Sequence, residues 1–240
     1  LKIIEPATGK QKTFVLGTGP HGGGYDDIVF DGNATYISAS NPSVETAAGI
    51  VRFKSEDKKV KLIGILNDDA SATDVTTGNT VTLNLTDPDS MILDPFGELV
   101  LDSQQDGKLV IVQHPGRSCQ NALVVPLTSE GEPTIGDTTF DDTVFADAPQ
   151  GELLVADKDG EAVYSIAAPY FAPGAAYSAV VVVSAPITGS SVAAFVGQTN
   201  LTTGFVTPIL NGLQNPGGMA FIPAGHEPDL ARTVGSEQCP

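Results

Sequence analysis

The sequence predicts an all-β protein folded as a β-propeller of about five four-stranded blades, with six blades as the alternative. Short β-branched runs bounded by turn residues recur along the 240 residues, which is typical of β-strands. The 26 glycines and 17 prolines interrupt the windows that a helix would need, so helical periodicity is nearly absent. A short sequence motif also occurs four times along the chain, and repeated units of short strands predict sheets that stack on one another.

The repeated motif is a pair of small or acidic residues followed by a short apolar run. Its four copies cover residues 26–31, 89–94, 141–146 and 217–222. A unit of a few short strands cannot bury its apolar face alone, so neighbouring units must stack. Because the run in each copy is apolar throughout, we expect it to be the inner strand of a blade, buried on both faces.

Further strands follow the first three copies, and they become more polar with distance from the inner strand. Lysine and arginine occur in them at Arg52, Lys61 and Lys108, as expected of outer strands that lie nearer to water. The predicted strands cover residues 34–38, 49–53 and 60–65 in the first unit, 98–102, 108–112 and 122–127 in the second, and 152–157 and 162–166 in the third.

The interval between the third and fourth copies, from residue 141 to residue 217, is the longest of the three. Beyond the strands of the third unit it contains strand-like runs at residues 192–197 and 205–210. This interval is too long for a single blade, so we expect it to hold one blade and part of another. The count of about five blades depends on this interpretation.

The two ends of the chain predict how the ring closes. Residues 1–5 and 12–16 form a hairpin with no inner strand before it, whereas residues 218–222 form an inner strand with no outer hairpin after it. Each end has what the other lacks, and pairing them would remove exposed strand edges. We therefore expect residues 1–240 to form one domain, closed by its N- and C-terminal segments.

The composition excludes several classes of partner. The formal net charge is −17 and only 17% of the residues are charged, so there is no basic stripe to neutralise phosphates. Nucleic acid and anionic membranes are therefore excluded as partners, and no apolar run is long enough to span a bilayer. The expected protein is a secreted or periplasmic monomer whose partner is a small molecule, a glycan or another protein.

Cys119 and Cys239 are the only cysteines. Their spacing fits no zinc motif. In a cytosolic protein they would be two unrelated thiols, but the scarcity of lysine and the near-terminal position of Cys239 favour a disulfide that pins the C-terminal tail. The loop-entropy model assigns such a long-range link roughly 4–5 kcal/mol of stabilisation.

The repeat also resembles a known superfamily. The resemblance lies in the inner-strand motif, in the Thr-Gly turns at Thr8-Gly9 and Thr203-Gly204, and in the run TPILNGLQNPGGMAF at residues 207–221. In these features the sequence resembles the secreted bacterial propellers of the NHL and YVTN-repeat superfamily. Gluconolactonase-like propellers belong to the same broad group at a greater distance. The resemblance implies the fold but not an activity, because propellers host lactonases, lyases, binding proteins and scaffolds.

The carboxylates that precede the inner strands are the leading candidates for a site. In a propeller these positions enter the central channel, and oxygen ligands from several loops suit Ca²⁺. In the resembling lactonases a divalent cation at the channel mouth polarises a substrate carbonyl and water, although their ligand set is not matched residue by residue here. The alternative role is to accept backbone N–H bonds in the turn. The candidate ligands are Asp26, Asp27, Asp89, Asp141 and Asp142, while the fourth copy has Gly217 and Gly218 instead.

His21 is the candidate catalytic residue. It lies in a glycine-rich segment directly before Asp26 and Asp27, and a histidine beside two carboxylates can act as a general base. The alternative is a solvated histidine in a surface loop. The segment lacks the features of a phosphate-binding loop, and the chain has no nucleophile elbow.

Two functions from different classes follow. The first is a secreted binding or structural propeller without catalysis, which is favoured because no nucleophile and no complete metal set can be identified. The alternative is a divalent-cation-dependent hydrolase or lactonase that acts at the channel mouth near His21, Asp26, Asp27 and Asp142. Ca²⁺ is the only cofactor that the sequence suggests.

Overall fold

The structure is a computed structural model that describes residues 1–17, 24–32, 34–40, 46–56, 59–129, 138–182 and 194–225. In these ranges the regular elements are twenty strands and one 3₁₀ turn, which confirms the all-β prediction. None of the described segments forms a helix that is long and apolar enough to cross a membrane.

The strands are short, because turn residues end each β-branched run after a few positions. A 3₁₀ turn at Gln104–Asp106 follows β10. In chain order the strands are β1 (Lys2–Ile4), β2 (Gln11–Thr13), β3 (Tyr25–Asp31), β4 (Ala34–Ala39), β5 (Ala48–Glu56), β6 (Lys59–Asn67), β7 (Ser71–Asp74), β8 (Thr80–Thr82), β9 (Pro88–Leu93), β10 (Leu99–Ser103), β11 (Lys108–Gln113), β12 (Asn121–Pro126), β13 (Thr128–Ser129), β14 (Thr138–Phe145), β15 (Gly151–Asp157), β16 (Ala162–Ala167), β17 (Ala176–Val182), β18 (Ala194–Thr199), β19 (Phe205–Leu213) and β20 (Pro216–Pro223).

Four sheets are arranged like the blades of a four-bladed propeller. The four copies of the repeat form their inner strands β3, β9, β14 and β20, each at one edge of its sheet. These strands contact one another in series, β3 with β9, β9 with β14 and β14 with β20. The repeat therefore identified the inner strands, but the prediction of about five blades was wrong.

Blades 1 and 2 follow the predicted order. Blade 1 is the antiparallel meander β3-β4-β5-β6, and blade 2 begins with the meander β9-β10-β11-β12. The hairpin β7-β8 then extends blade 2, because β7 pairs in parallel with the outer strand β12. Short turns between consecutive strands make such meanders the simplest antiparallel arrangement.

Blades 3 and 4 explain the wrong blade count. The inner strand β14 pairs with β17, which continues through β18 and β19 to the short parallel strand β13. The next strands in the chain instead belong to blade 4, where β15 pairs with the last inner strand β20 and β16 pairs with β15. The long interval before the fourth repeat thus supplies the outer strands of two blades and needs no fifth inner strand.

The predicted closure by pairing the two chain ends was also wrong. The edge of β20 is occupied by β15, from Gly151 opposite Pro223 to Asp157 opposite Pro216. The N-terminal hairpin β1-β2 forms a two-stranded sheet of its own. Its following residue, Phe14, packs edge-to-face on Phe53 of β5, with ring centroids 5.2 Å apart. The hairpin is therefore attached to blade 1.

The core consists of apolar layers between consecutive blades. One layer joins blades 1 and 2 around Tyr36, Ile50 and Leu101, and a second joins blades 2 and 3 around Leu109 and Phe140. The third joins blades 3 and 4 and includes Val144, Leu153, Val155, Phe171 and Val196. Each blade is thus stabilised mainly by burying apolar area against its neighbour.

We expect Leu153→Ala to destabilise the protein by about 2–5 kcal/mol, because it leaves a cavity in the third apolar layer. Leu153 is 0% exposed. Urea unfolding followed by circular dichroism measures the change. The control is Val163→Ala at a side chain that is 71% exposed, where we expect a change within about 0.5 kcal/mol. Equal losses in both variants would contradict the layered arrangement.

Candidate functional site

The second position of the repeat, residues 27, 90, 142 and 218, links neighbouring blades. Asp27 accepts the N–H of Ile28 in its own strand at 2.7 Å and the N–H of Met91 in β9 at 2.8 Å. Both carboxylate oxygens are used, one within blade 1 and one across to blade 2. Backbone N–H groups that would otherwise be buried without partners are satisfied in this way.

The next two copies repeat this link between blades. The Ser90 hydroxyl of blade 2 donates to the Asp141 carbonyl of blade 3 at 2.8 Å. Asp142 of blade 3 accepts the N–H of Met219 in blade 4 at 2.5 Å. Polar side chains at one repeat position therefore bond blade 1 to 2, 2 to 3 and 3 to 4. In blade 4 the position is Gly218, which has no side chain to continue the series.

The first position of the repeat, residues 26, 89, 141 and 217, has a different role. Asp26 is exposed, Asp89 is half-buried and Asp141 is 7% exposed. Asp141 accepts a hydrogen bond from Gln104 Nε2 at 2.6 Å and forms an ion pair with Lys158 Nζ at 3.2 Å. These carboxylates do not share equivalent surroundings.

The glycine in the fourth copy makes room for Asp141. A Cβ atom built on Gly217 would lie 1.9 Å from Asp141 Oδ2 and 2.8 Å from Lys158 Cε. Both distances are shorter than real Cβ contacts, so a side chain at this position would have to displace the ends of the Asp141 and Lys158 side chains. Where the other copies carry an aspartate, the fourth copy thus has a glycine with the Lys158 side chain, from the turn after β15, lying next to it.

Burial and like charge shift two of these carboxyls. Burial, followed by the charges of Asp141 and Asp26, raises the pKa of Asp89 to about 6. Burial raises the pKa of Asp142 to about 7, although the N–H groups of Met219 and Thr143 act in the opposite direction. Both effects disfavour the charged form.

Asp102 extends this acidic region into the interior. It is 2% exposed, and burial followed by the charge of Asp142 raises its pKa well above the ordinary value. Thr143 Oγ1 donates to Asp102 Oδ1 at 3.1 Å and lies 2.9 Å from Ser178 Oγ. Ser178 Oγ lies 2.7 Å from Thr199 Oγ1. The chain of hydroxyls runs from blade 2 across blade 3 and satisfies polar groups that are otherwise costly to bury.

Asp102, Gln104 and Lys158 were not among the candidates from the sequence. Asp102 follows the apolar residues 99–101 in β10, where every residue is buried, and a carboxyl in a buried strand is a usable signal. Gln104 and Lys158 lie in turns and carried no comparable signal.

The remaining candidates are placed as follows. Asp27 and Asp142 accept backbone N–H bonds from the neighbouring blades, whereas the alternative role considered from the sequence was to accept such bonds within the turn. No group of three or more His, Cys, Asp or Glu side chains within the described ranges is placed to hold a metal ion. The calcium site and its ligand set remain predictions. His21 lies outside the described residues.

The disulfide prediction falls partly outside the described residues. Cys119 lies half-buried in the turn between β11 and β12, whereas Cys239 is among the residues that are not described. The pairing of these two cysteines therefore remains a prediction.

A cavity lies between the four inner strands and is lined by the residues that follow the second position of each repeat. We call it the axial cavity. Its volume is about 460 Å³. Both methionines of the chain line it, and of its lining residues Asp147 alone carries a charge. Each inner strand contributes its apolar run, residues 28–30, 91–93, 144–145 and 219–221.

Comparison of the chain with protein-family models, with curated proteins and with solved structures finds no match in any of the three. The resemblance to the NHL and YVTN-repeat superfamily therefore remains a prediction.

We expect the stability of the protein to fall as the pH rises from about 4 to about 7. The pKa of Asp89 is raised to about 6 and that of Asp142 to about 7, whereas the unfolded chain titrates at about 3.9. A carboxyl with a raised folded-state pKa stabilises the protein below its unfolded pKa, and this contribution is lost as the pH rises through the folded pKa.

Urea unfolding of Asp142→Asn across this pH range isolates one contribution. The variant should show a shallower decline because it lacks one of the titrating groups, and Asp159→Asn at an exposed position is the matched control. A decline equally steep in Asp142→Asn and in the unmodified protein would contradict the assignment.

We expect Gly217→Ala to destabilise the protein by about 1–3 kcal/mol, because the new methyl group overlaps the Asp141 carboxylate. The control is Gly24→Ala, whose added Cβ would meet only Ser40 Oγ at 3.8 Å. Chemical unfolding compares the two variants. Addition of Asp141→Ala to Gly217→Ala should recover part of the lost stability. If the double variant instead loses the sum of the two single losses in the free energy of unfolding, the overlap is not the cause.

Proposed function

We propose that this protein is a binding module, without catalysis of its own, that takes a small apolar molecule into the axial cavity. The observation that carries the proposal is the cavity itself, about 460 Å³ in volume and bordered by all four inner strands. Ligand sites of proteins are concave, largely apolar and roughly 300–1,000 Å³ in size. A site on the rigid inner strands is also preorganised for binding.

The lining favours an apolar ligand of variable shape. Met91 of blade 2 and Met219 of blade 4 both line the cavity, and methionine side chains adapt to irregular shapes. Phe30 lines the same cavity and is 65% exposed, so an aromatic face is available to an incoming molecule.

The charge of the protein restricts the ligand further. The charged residue that lines the cavity is the acidic Asp147, and the whole chain carries a formal charge of −17. An anionic ligand would be repelled, so the ligand class is neutral or cationic.

The alternative, a cation-dependent hydrolase, requires carboxylates with oxygens available to an ion. Asp27 and Asp142 already accept backbone N–H bonds from the neighbouring blades, and Asp141 is paired with Lys158. The described contacts thus give more support to a binding module.

The neutral dye N-phenyl-1-naphthylamine, whose emission rises in apolar surroundings, tests the proposal. We expect it to bind the protein and to bind Ala220→Phe at least about tenfold more weakly, equivalent to about 1.4 kcal/mol. Ala220 lines the cavity, and the new ring would occupy the space of the ligand. The matched control is Ala7→Phe, at an exposed position in the N-terminal hairpin, which should bind the dye as the unmodified protein does.

A single-tryptophan reporter locates the bound dye. The chain has no tryptophan, so Phe30→Trp places the sole indole in the cavity wall, and its emission should be quenched by energy transfer to the dye. Val163→Trp, at a position 71% exposed and outside the lining, should be quenched less. Equal quenching of both reporters, or equal affinity in Ala220→Phe and Ala7→Phe, would exclude the axial cavity as the site.

A further inference from the structure

The outer edge of blade 4 differs from the other outer edges of the described sheets. Blades 1, 2 and 3 contain four, six and five strands, whereas blade 4 contains only β20, β15 and β16. Its last strand, β16, is therefore in the third position from the axis rather than the fourth or later. A strand at a sheet edge presents a row of unpaired N–H and C=O groups that can pair with another chain.

The other outer edges carry features that prevent such pairing. The edge strand β6 of blade 1 contains Lys61. The edge strands β8 and β13 of blades 2 and 3 have three and two residues. Charged and very short edge strands are the usual means by which proteins avoid edge-to-edge association.

None of these features is present in β16. Its six residues read AVYSIA and include no charge, no proline and no glycine. Val163 is 71% exposed and Tyr164 is 40% exposed. Among the outer edges of the described sheets, β16 is the one that is both longer than three residues and uncharged.

A strand added at the edge of β16 could extend the apolar surface on both faces of blade 4. Ile166 lies opposite Leu153 and packs against the apolar layer between blades 3 and 4. Tyr164 lies opposite Val155 on the same face, and Val163 points to the other face because side chains alternate along a strand. A strand with alternating apolar residues would extend the covered surface of the blade.

The molecule already contains this type of contact twice. The strand β7 adds to β12 at the outer side of blade 2, and β13 adds to β19 at the outer side of blade 3, both in parallel. Both come from segments that connect blades rather than from the blades themselves. Blade edges of this fold therefore accept short added strands.

We propose that β16 is a docking edge for an extended, basic segment of another protein, which binds by strand addition. The turn that leads into β16 carries Asp159 and Glu161, both exposed, and its Lys158 is paired with Asp141. Glu152 lies on the neighbouring strand and accepts a hydrogen bond from Ser165 at 2.8 Å. This acidic border favours lysine or arginine beside the paired residues. A second copy of the chain, with the same charge of −17, would be repelled.

The test uses a synthetic peptide of sequence KTVTVTK and amide hydrogen exchange of the whole protein. In an antiparallel pair every second residue of β16 donates its N–H to β15. The residues between them direct their N–H groups away from β15, towards the free edge. We expect the peptide to slow exchange at every second amide of residues 162–167, at least about tenfold at saturation. The same peptide N-methylated at its central residues should have no effect, because it lacks the donors.

Proline substitutions at two adjacent positions provide an independent check. Tyr164 and Ser165 are adjacent, so one of them donates its N–H to β15 and the other directs its N–H towards the free edge. Proline is tolerated only at the second of these positions, because no hydrogen bond within the sheet is lost there. The tolerated variant should lose peptide binding while it retains the dye binding of the axial cavity, so a failure of this proposal and a failure of the proposed function are distinguishable.

Three results would overturn the proposal. The first is unchanged exchange in β16 on addition of the peptide. The second is equal protection by the N-methylated peptide. The third is protection of the same amides by a higher protein concentration without peptide, which would identify a second copy as the occupant. The exchange measurement decides the matter even where both proline variants fail to fold.

Discussion

The hydrogen bond from the Met91 N–H to the Asp27 carboxylate, and its counterpart from Met219 to Asp142, are the contacts on which the central arrangement depends. An inner strand has one edge bonded to its own blade, and its other edge faces the axis, where no strand of the described ranges pairs with it. The carboxylates of the preceding blade supply acceptors for N–H groups at that free edge. Each such bond also fixes the position of one blade relative to the next, which the non-directional apolar layers between blades cannot do.

The same constraint explains the acidic character of this end of the axis. A carboxylate that accepts two N–H bonds is well satisfied as an acceptor, but several of them close together repel one another and are partly removed from water. The structure relieves this in two ways. Lys158 contributes a positive charge next to Asp141, and the raised pKa values of Asp89 and Asp142 allow neutral forms near neutral pH.

The sequence predicted the inner strands and most of the outer ones, because both have strong local signals. The apolar run after each polar pair located β3, β9, β14 and β20, and the lysine-containing strands of blades 1 and 2 followed in the expected order. The pairing of β15 with β20 could not be predicted in this way. Leu153 and Val155 alternate with less buried residues in β15, and this pattern fits equally well beside β14 or beside β20. Pairing between distant segments leaves no local trace in such a strand.

The site was predicted in part for a similar reason. The repeat indicated which carboxylates gather at the axis, but not which atoms they bond. The acceptor role of Asp27 and Asp142 depends on N–H groups 64 and 77 residues away, and the ion pair of Asp141 depends on Lys158 in a turn of another blade. Gly217 carried a signal that was interpreted only as a missing ligand, whereas its lack of a side chain accommodates Asp141.

The order of the strands in blades 3 and 4 has a consequence for folding and for the evolution of the chain. The chain passes from β14 to β15 and β16, returns for β17 to β19, and leaves again for β20. Blade 4 is completed only after the chain has passed through every strand of blade 3, so the two blades are interleaved and depend on non-local pairings, which form slowly. Blades 1 and 2, by contrast, are built from consecutive segments. Duplication or loss of single blades is therefore feasible in the first half of the ring, while the second half can only be gained or lost as a pair.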